Sequence, residues 1–481
     1  MGKTTGFLEY QREDAPKRPV AERVRDFREI ELTLPGDRLQ RQAGRCMDCG
    51  VPYCHTYGCP LHNRIPDWND MVWRGQWRRA LDLLHATNNL PEITGRICPA
   101  TCEASCTLGI NAPAVSIRQI ELQIVERGWR EGWILPQPAP QRTGKRAAVV
   151  GSGPAGLAAA QQLARAGHTV VVYEKADRPG GILRYGIPDF KLEKWVLDRR
   201  IEQLQAEGVV FETRVDAGRD VSVNYLRRTF AAVVVAAGSR VPRDVDLPGR
   251  DLRGVEMAMD FLTAQNRRVA GDTLSPPADV SAAGKSVIVV GGGDTGADCV
   301  GTARRQGAAA ITQIEILPEP PQERSVDNPW PHWPQILRTG SSHDEGCIRM
   351  WGISTKEIRG DGAGCVRALS CVRVEWSAVD AAGRRSYKEF PGSEFELKAD
   401  LVIFAMGFVH TEHSALVTDF GLELNPGACL LTDAELMTSA PGVFAAGDCV
   451  LGARLIVTAI DQGRRAAAAA DRYLRTKENR A

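Results

Sequence analysis

Apolar positions along this chain follow two different rules. Between Ile65 and His85, the residues Trp73, Trp77, Leu81 and Leu84 recur at three- and four-residue steps, which predicts a helix with a tryptophan and leucine stripe turned to a core. Asp67 or Asn69 stands where its cap belongs. Past the stiff connector Leu135-Pro136-Gln137-Pro138-Ala139-Pro140, the pattern changes at Lys145 to short unbroken runs rich in valine. Ala147 to Val150 and Val287 to Val290 are too short for helices and predict strands buried on both faces. Val233 to Gly238, Leu401 to Gly407 and Val443 to Asp448 begin in the same way and end in small-residue turns, and a helix is expected from about Val457 to Ala470.

Two of these strands open onto one motif. Gly151-Ser152-Gly153-Pro154-Ala155-Gly156 and Gly291-Gly292-Gly293-Asp294-Thr295-Gly296 each follow a predicted strand and lead into a stretch with helical character, the context a dinucleotide site requires. The first glycine permits the tight turn, the second lets a pyrophosphate approach the backbone, and the third allows close helix–strand packing, with the helix N-terminus left to face phosphate. After the first loop the chain returns through Thr169-Val170-Val171-Val172-Tyr173 to Glu174, near the spacing at which an acid accepts a ribose hydroxyl. A glycine turn without a ligand is the competing reading of either loop. Two such openings predict two Rossmann-like domains.

Length fits this count: 481 residues at roughly 150 per domain make about three domains. Lys and Arg total 60 against 59 Asp and Glu, so no global field favours nucleic acid or anionic lipid. No apolar run approaches the roughly 18 residues of a membrane helix, and Met1 to Gly6 lacks the apolar core of a signal peptide, so a cytoplasmic location is expected.

Cysteine carries the remaining chemistry. Of 13 cysteines, seven fall between positions 46 and 106, as Cys46-x2-Cys49-x4-Cys54-x4-Cys59 and Cys98-x3-Cys102-x3-Cys106. Such clustering in a reducing compartment argues for metal ligation over disulfides. Short regular gaps, with Pro60 and Pro99 directly after cysteines, are ferredoxin-like, and in two-cluster proteins the ligand runs interleave. Structural zinc competes, since CxxC also suits it, but seven cysteines fill a pair of four-cysteine zinc sites no better. Cys299, Cys347, Cys365, Cys371, Cys429 and Cys449 are most simply buried small hydrophobes. His343-Asp344-Glu345 reads as a solvated polar loop rather than a metal site, and Asn328-Pro329-Trp330-Pro331-His332-Trp333-Pro334 as a rigid surface loop.

Together these residues resemble the small (beta) subunits of bacterial glutamate synthases from Gly6-Phe7-Leu8 to Gly463-Arg464, through Cys46 to Cys54, Asn88 to Pro99, Gly180 to Pro188 and Gly291 to Asp298. The resemblance implies an α/β flavoprotein with two dinucleotide-binding domains and an N-terminal helical iron–sulfur domain: residues 1–144 for [4Fe-4S] clusters, 145–280 and 406–481 for FAD, and 281–405 for NAD(P)H. It implies flavin contacts at Gly151, Gly153, Pro154, Ala155, Gly156, Glu174, Lys175, Gly181, Ile182, Arg184, Ala237, Gly238, Gly447 and Asp448, the last on the ribityl chain. Nicotinamide-nucleotide contacts are expected at Gly291, Gly293, Asp294, Thr295, Gly296 and Glu315. By similarity to the related module of dihydropyrimidine dehydrogenase, one cluster takes Cys46, Cys49, Cys54 and Cys106. The other takes Cys59, Cys98 and Cys102, with Glu121 at the position of a glutamine ligand, unless Glu121 is an ordinary surface residue.

The implied activity is oxidation of NAD(P)H, with electrons passing through FAD and two [4Fe-4S] clusters to an FMN-carrying large (alpha) subunit that makes L-glutamate from L-glutamine and 2-oxoglutarate. The cofactors carry that chemistry, so no general base is nominated. No redox cysteine pair lies in Gly180 to Pro188, which argues against a dithiol mechanism. Where NADPH-type members often carry an arginine pair, this chain reads Ile314-Glu315-Ile316-Leu317-Pro318; Glu315 suits a free 2′-hydroxyl and NADH is expected, unless Arg304, Arg305 or Arg324 reaches a phosphate. The alternatives are an NADH-oxidising subunit of a dihydropyrimidine dehydrogenase or of a ferredoxin-coupled transhydrogenase and, in a different class, a non-enzymatic redox sensor or metal-stapled scaffold.

Overall fold

The computed structural model describes residues 2–276, 278–377 and 385–476. Helices α1 (Ile65–Trp73), α2 (Trp77–Thr87), α3 (Pro91–Ile97) and α4 (Ile117–Arg130) frame the cysteine region. The helix expected over Ile65 to His85 is thus two, because Gly75 takes φ +71° and turns the chain between them. Trp77, Leu81 and Leu84 are buried as their spacing predicts, and Trp73 is half-buried. Neither expected cap is one: Arg64 holds the N-cap position, Asp67 lies in the first turn where a negative charge suits the helix dipole, and Asn69 is buried.

The α/β part starts with β1 (Arg146–Val150), α5 (Pro154–Arg165), β2 (Thr169–Glu174), α6 (Lys194–Ala206), β3 (Val209–Thr213) and β4 (Ala232–Val235). The chain then leaves for a second unit: β5 (Val255–Met257), α7 (Ala258–Val269), β6 (Ser286–Val290), α8 (Asp294–Arg305), β7 (Ala310–Glu315) and β8 (Ile348–Trp351). An antiparallel layer built on β9 (Ile353–Gly360) and β10 (Val366–Trp376) follows, then β11 (Leu401–Phe404). β12 (Val443–Ala445) and α9 (Ile456–Thr476) return to the first unit. Two parallel five-stranded sheets result, ordered β12-β4-β1-β2-β3 and β5-β11-β6-β7-β8. Because β5 pairs with β11, the second unit begins ahead of Val255 and not at residue 281 as its sequence suggests. The two crossings run side by side, Val241–Pro242 pairing antiparallel with Phe408–His410.

Val149 of β1 lies opposite Val172 on one side and Val234 on the other, all three buried, which is why these runs carry no polar alternation. β9 and β10 cover the second sheet, setting Ile353, Ile358, Leu369 and Cys371 against Ile288, Val402 and Phe404. Helices α5 and α9 cross at Gly463, where a Cβ would stand 2.2 Å from the Ala155 carbonyl oxygen. The cysteine region is fastened to this body through buried polar groups. Arg200 of α6 donates to both carboxylate oxygens of Glu92 at 2.6 and 2.7 Å, and Asn89 donates to Gln161 of α5 at 2.6 Å. With side-chain exposures of 1% and 0%, the Arg200–Glu92 pair would cost about 3–5 kcal/mol if one partner were removed.

Candidate functional site

In the first loop Gly151 has φ +99°, and a Cβ there would stand 2.4 Å from the Ala236 carbonyl oxygen. A Cβ on Gly156 would stand 1.9 Å from the Gly151 carbonyl oxygen, whereas nothing lies within 4 Å of one built on Gly153. Turn, close packing and an open approach are therefore divided among the three glycines as the motif requires. Glu174, at the end of β2, is buried; its Oε2 accepts from the Ser152 backbone N–H at 3.1 Å and from its hydroxyl at 2.5 Å, and its Oε1 accepts from the Ala176 N–H at 2.8 Å. Ser152, which the motif leaves unspecified, also accepts from the Gly180 N–H at 2.9 Å and so ties the loop to the Gly180–Gly181 segment.

This loop opens into a cavity of about 1090 Å³. Gly151, Gly153, Pro154, Ala155, Glu174, Lys175, Gly181, Ile182, Ala237, Gly238 and Asp448 line it, while Gly156 and Gly447 lie behind the lining. Arg184 is not in it: its guanidinium turns away to the Pro179 carbonyl and the Asp198 carboxylate. Tyr185 lines the cavity although the sequence did not single it out, with its hydroxyl donating to Asp177 at 2.5 Å. Burial pushes the Asp448 carboxyl up to about 6, against the opposing N–H and charge of Arg454. An open glycine approach, a buried acid at the ribose distance and a cavity of this size fit an FAD.

The second loop repeats the plan. Gly291 has φ +124° with the Ala405 carbonyl oxygen 2.4 Å from an added Cβ, and a Cβ on Gly296 would stand 2.2 Å from the Gly291 carbonyl oxygen. Glu315 ends β7 as Glu174 ends β2, its Oε2 accepting from the Gly292 N–H at 2.7 Å and its Oε1 from the Leu317 N–H at 3.1 Å. Only Thr295 of this loop lines the large cavity. The three arginines considered for a 2′-phosphate are placed otherwise. Arg304 and Arg305 end α8, roughly 15 Å along the helix from its loop end. Arg305 is buried on Glu345, which also binds Arg23 at 2.7 Å, and Arg324 donates to the carbonyls of His332 and Ala104. Glu345 is thus buried and His343 half-buried: His343 bonds Gln313 at 2.9 Å, and burial pulls its imidazole down to about 4.

The seven clustered cysteines fall into two sets. Burial pushes Cys46 up to about 11, with Cys106 and Cys49 near enough to oppose its ionisation, and Cys54 higher still, with Cys106, Cys46 and Cys49 around it. Burial also raises Cys59 to about 12 and Cys98 to about 11, both beside Glu121; Cys102 rises well above the usual thiol value beside Cys59, Cys98 and Glu121. Among the clustered cysteines the influences stay within Cys46, Cys49, Cys54 and Cys106, and within Cys59, Cys98 and Cys102, with Glu121 beside the second set. Glu121 is no surface residue: it is buried, accepts from Thr94 at 2.5 Å and from Asn88 at 3.0 Å, and burial lifts its carboxyl to about 7. The buried amide of Asn69, with no hydrogen bond of its own, lies beside the Cys46 thiol. Among the described residues no three His, Cys, Asp or Glu side chains close on a single ion. Two largely buried thiol sets, within each of which the thiols disfavour one another's ionisation, are a donor set suited to clustered metal, whose positive charge would hold them as thiolates. The other six cysteines are unpaired: Cys299, Cys371, Cys429 and Cys449 are buried, and Cys347 and Cys365 half-buried. No helix among the described residues is long and apolar enough to cross a membrane.

Comparison with known proteins places the chain in a family. One described as pyridine nucleotide-disulphide oxidoreductase matches residues 145–463, and one described as dihydropyrimidine dehydrogenase domain II, 4Fe-4S cluster, matches residues 23–133. The glutamate synthase [NADPH] small chain of Mycobacterium tuberculosis is 50% identical over 480 residues, 98% of this chain and 96% of that protein. That of Bacillus subtilis is 43% identical over 488 residues, 98% of this chain and 99% of its own. The glutamate synthase [NADH] of Schizosaccharomyces pombe is 46% identical over 477 residues, which cover 97% of this chain and 22% of that protein. Among solved structures, Mycobacterium tuberculosis FprA in complex with NADPH has a TM-score of 0.55 at 19% identity, over 70% of this chain and 85% of that one, a likeness of fold.

Proposed function

The chain belongs to the family of glutamate synthase small chains, and from that membership we propose that it is the electron-input subunit of a glutamate synthase. It oxidises NAD(P)H and delivers electrons to a large subunit, carrying FMN, that makes L-glutamate from L-glutamine and 2-oxoglutarate in the cytoplasm. The observation that carries this reading is the junction of the sites: the cysteine region is locked onto α5 and α6 of the flavin unit by Asn89–Gln161 and Glu92–Arg200. Bound FAD supplies the exchange between two-electron and one-electron chemistry, and iron–sulfur clusters supply one-electron transfer.

The chain's own residues bind, orient and enclose. Gly153 leaves room for the FAD pyrophosphate at the N-terminus of α5, Glu174 accepts from the adenosine ribose, and Asp448 faces the ribityl chain. Cys46, Cys49, Cys54 and Cys106 hold one [4Fe-4S] cluster; Cys59, Cys98, Cys102 and Glu121 hold the second. At the other loop Glu315 accepts from a ribose 2′-hydroxyl and repels a 2′-phosphate, so NADH is the donor. Relatives named for NADPH and for NADH match at 50% and 46% identity, so this choice rests on Glu315 itself.

The test combines the chain with its large subunit under anaerobic conditions. NADH oxidation that requires both glutamine and 2-oxoglutarate, with about eight iron and eight sulfide per small chain, is the expected result. Zinc without sulfide would remove the cluster assignment, and turnover indifferent to glutamine would remove the glutamate synthase role.

A further inference from the structure

The stretch from Arg324 to Gly340, outside the sites so far described, is held at both ends. At one end Trp330 packs on Tyr53 with ring centroids 4.7 Å apart, His332 Nδ1 lies 2.5 Å from the Tyr57 hydroxyl, and the Ser105 hydroxyl donates to the Pro331 carbonyl at 2.9 Å. Tyr53 and Ser105 are the chain neighbours of Cys54 and Cys106. At the other end the Gly340 N–H donates to His343 Nδ1 at 3.1 Å, which leaves the proton on Nε2 to be donated to Gln313 Oε1 at 2.9 Å. Gln313 in turn donates to the Gly291 carbonyl of the second glycine loop at 2.8 Å. A strap thus runs from the cysteine region to the nicotinamide-nucleotide loop.

Of the strap's two arginines, Arg324 is engaged by the His332 and Ala104 carbonyls, and Arg338 is the second. Its guanidinium stacks 3.9 Å from the centroid of Trp333 and donates to the Pro334 carbonyl at 2.6 Å, and its own carbonyl accepts from Arg349 at 3.2 Å. Arg349 sits opposite Gln313 in the β7–β8 ladder, so the backbone of Arg338 is fixed against the strand that carries Glu315. Partial burial holds its pKa below the usual arginine value, against the attraction of Asp294 and with the like charge of Arg324.

The two loops differ at the matching place. Helix α5 opens on uncharged Pro154, and helix α8 opens on the carboxylate of Asp294. A dinucleotide pyrophosphate at α8 therefore meets a negative charge that the helix dipole must overcome, and a nearby cation offsets it. We propose that Arg338, presented by the strap, is a ligand for the pyrophosphate of the nicotinamide nucleotide at the second glycine loop. The proposal rests on the reading of that loop as the nicotinamide-nucleotide site, and it makes the cysteine region part of that site's support.

The measurement is calorimetric binding of ADP-ribose, which has the pyrophosphate but no nicotinamide, to the oxidised holoenzyme at two salt concentrations. Arg338→Ala is expected to raise Kd about tenfold and to flatten the salt dependence, as loss of one charge-assisted contact does. Arg338→Lys, which keeps the charge and loses the stack on Trp333, should raise Kd by roughly threefold with the salt dependence kept. Flavin and iron content equal to the parent's would exclude a folding defect. An unchanged Kd in Arg338→Ala overturns the proposal alone. Failure of the parent to bind ADP-ribose overturns the reading of the loop, and the proposal with it.

Discussion

The two glycine loops are near copies, yet one is walled in and the other is open. Each begins with a glycine at positive φ, +99° at Gly151 and +124° at Gly291, pressed on a carbonyl of the neighbouring strand. Each receives a glutamate from the end of the next strand, Glu174 to the Ser152 N–H at 3.1 Å and Glu315 to the Gly292 N–H at 2.7 Å. The difference lies in what comes afterwards. Around the first loop the chain closes Gly181, Ile182 and Asp448 into a cavity wall, and α9 returns from the far end of the sequence to pack on α5. Among its described residues the second loop offers only Thr295 to that cavity and is bordered instead by the 324–340 strap. The same motif thus sits in two different enclosures, as a retained cofactor and an exchanging substrate would require.

The largest expected effect tests that division directly. Gly151→Ala places a Cβ 2.4 Å from a backbone oxygen at a φ that L residues resist, a strain of at least about 1–3 kcal/mol before the clash is counted. Purified Gly151→Ala should hold less than a tenth of the parent's flavin by its absorbance. Gly291→Ala suffers the matching clash with the Ala405 oxygen, also at 2.4 Å, and should keep its flavin while KM for the nicotinamide nucleotide rises at least about tenfold. Equal flavin loss in both variants would break the comparison.

The two glutamates sharpen it. Glu315→Arg removes an acceptor for the 2′-hydroxyl and adds a partner for a 2′-phosphate. A charge-assisted contact of about 1.5–3 kcal/mol corresponds to roughly a ten- to hundredfold swing in the NADPH to NADH ratio of kcat/KM. Flavin content should not move, because Glu315 lies outside the flavin cavity. A parent enzyme that already prefers NADPH would refute the role given to Glu315.

How much of this was legible beforehand depends on how local each cause is. Val287 to Val290 declares itself because a strand buried on both faces is apolar at every position, and each glycine loop is set within six residues. The helix break at Gly75 was not readable, since a glycine inside a helical pattern is as often tolerated as not. β5 has three residues, too few for a period, so the start of the second unit was misplaced. Glu121 was ambiguous because its surroundings come from Asn88 and Thr94, 33 and 27 residues away. Glu345 reads as solvated in sequence because its partners Arg23 and Arg305 lie 322 and 40 residues away. Arg184 belongs to a motif whose neighbours reach the cavity, but Asp198 of α6 draws it outward.

The smallest effect concerns the wall that distinguishes the first loop. Burial pushes the Asp448 carboxyl up to about 6 in the folded chain, against roughly 3.9 in an unfolded one. Between those values the folded state holds a proton that the unfolded state has lost, so stability falls as pH rises from about 4 to about 6 and stays lower above that. Asp448→Asn removes the penalty. Flavin-free Asp448→Asn should match the parent below pH 4 and exceed it by about 1–2 kcal/mol above pH 6, measured by denaturant unfolding; this is less than the full shift implies, since the side chain is partly exposed. With flavin bound the order should reverse, because the carboxylate then accepts from a ribityl hydroxyl and an amide is the weaker acceptor. A carboxylate kept at a cost to the empty protein is expected of a wall built to hold its occupant, and of the second loop's described residues only Thr295 reaches that cavity. An Asp448→Asn variant no more stable than the parent at pH 7 would show that the wall carries no such cost, and that the two loops differ in enclosure alone.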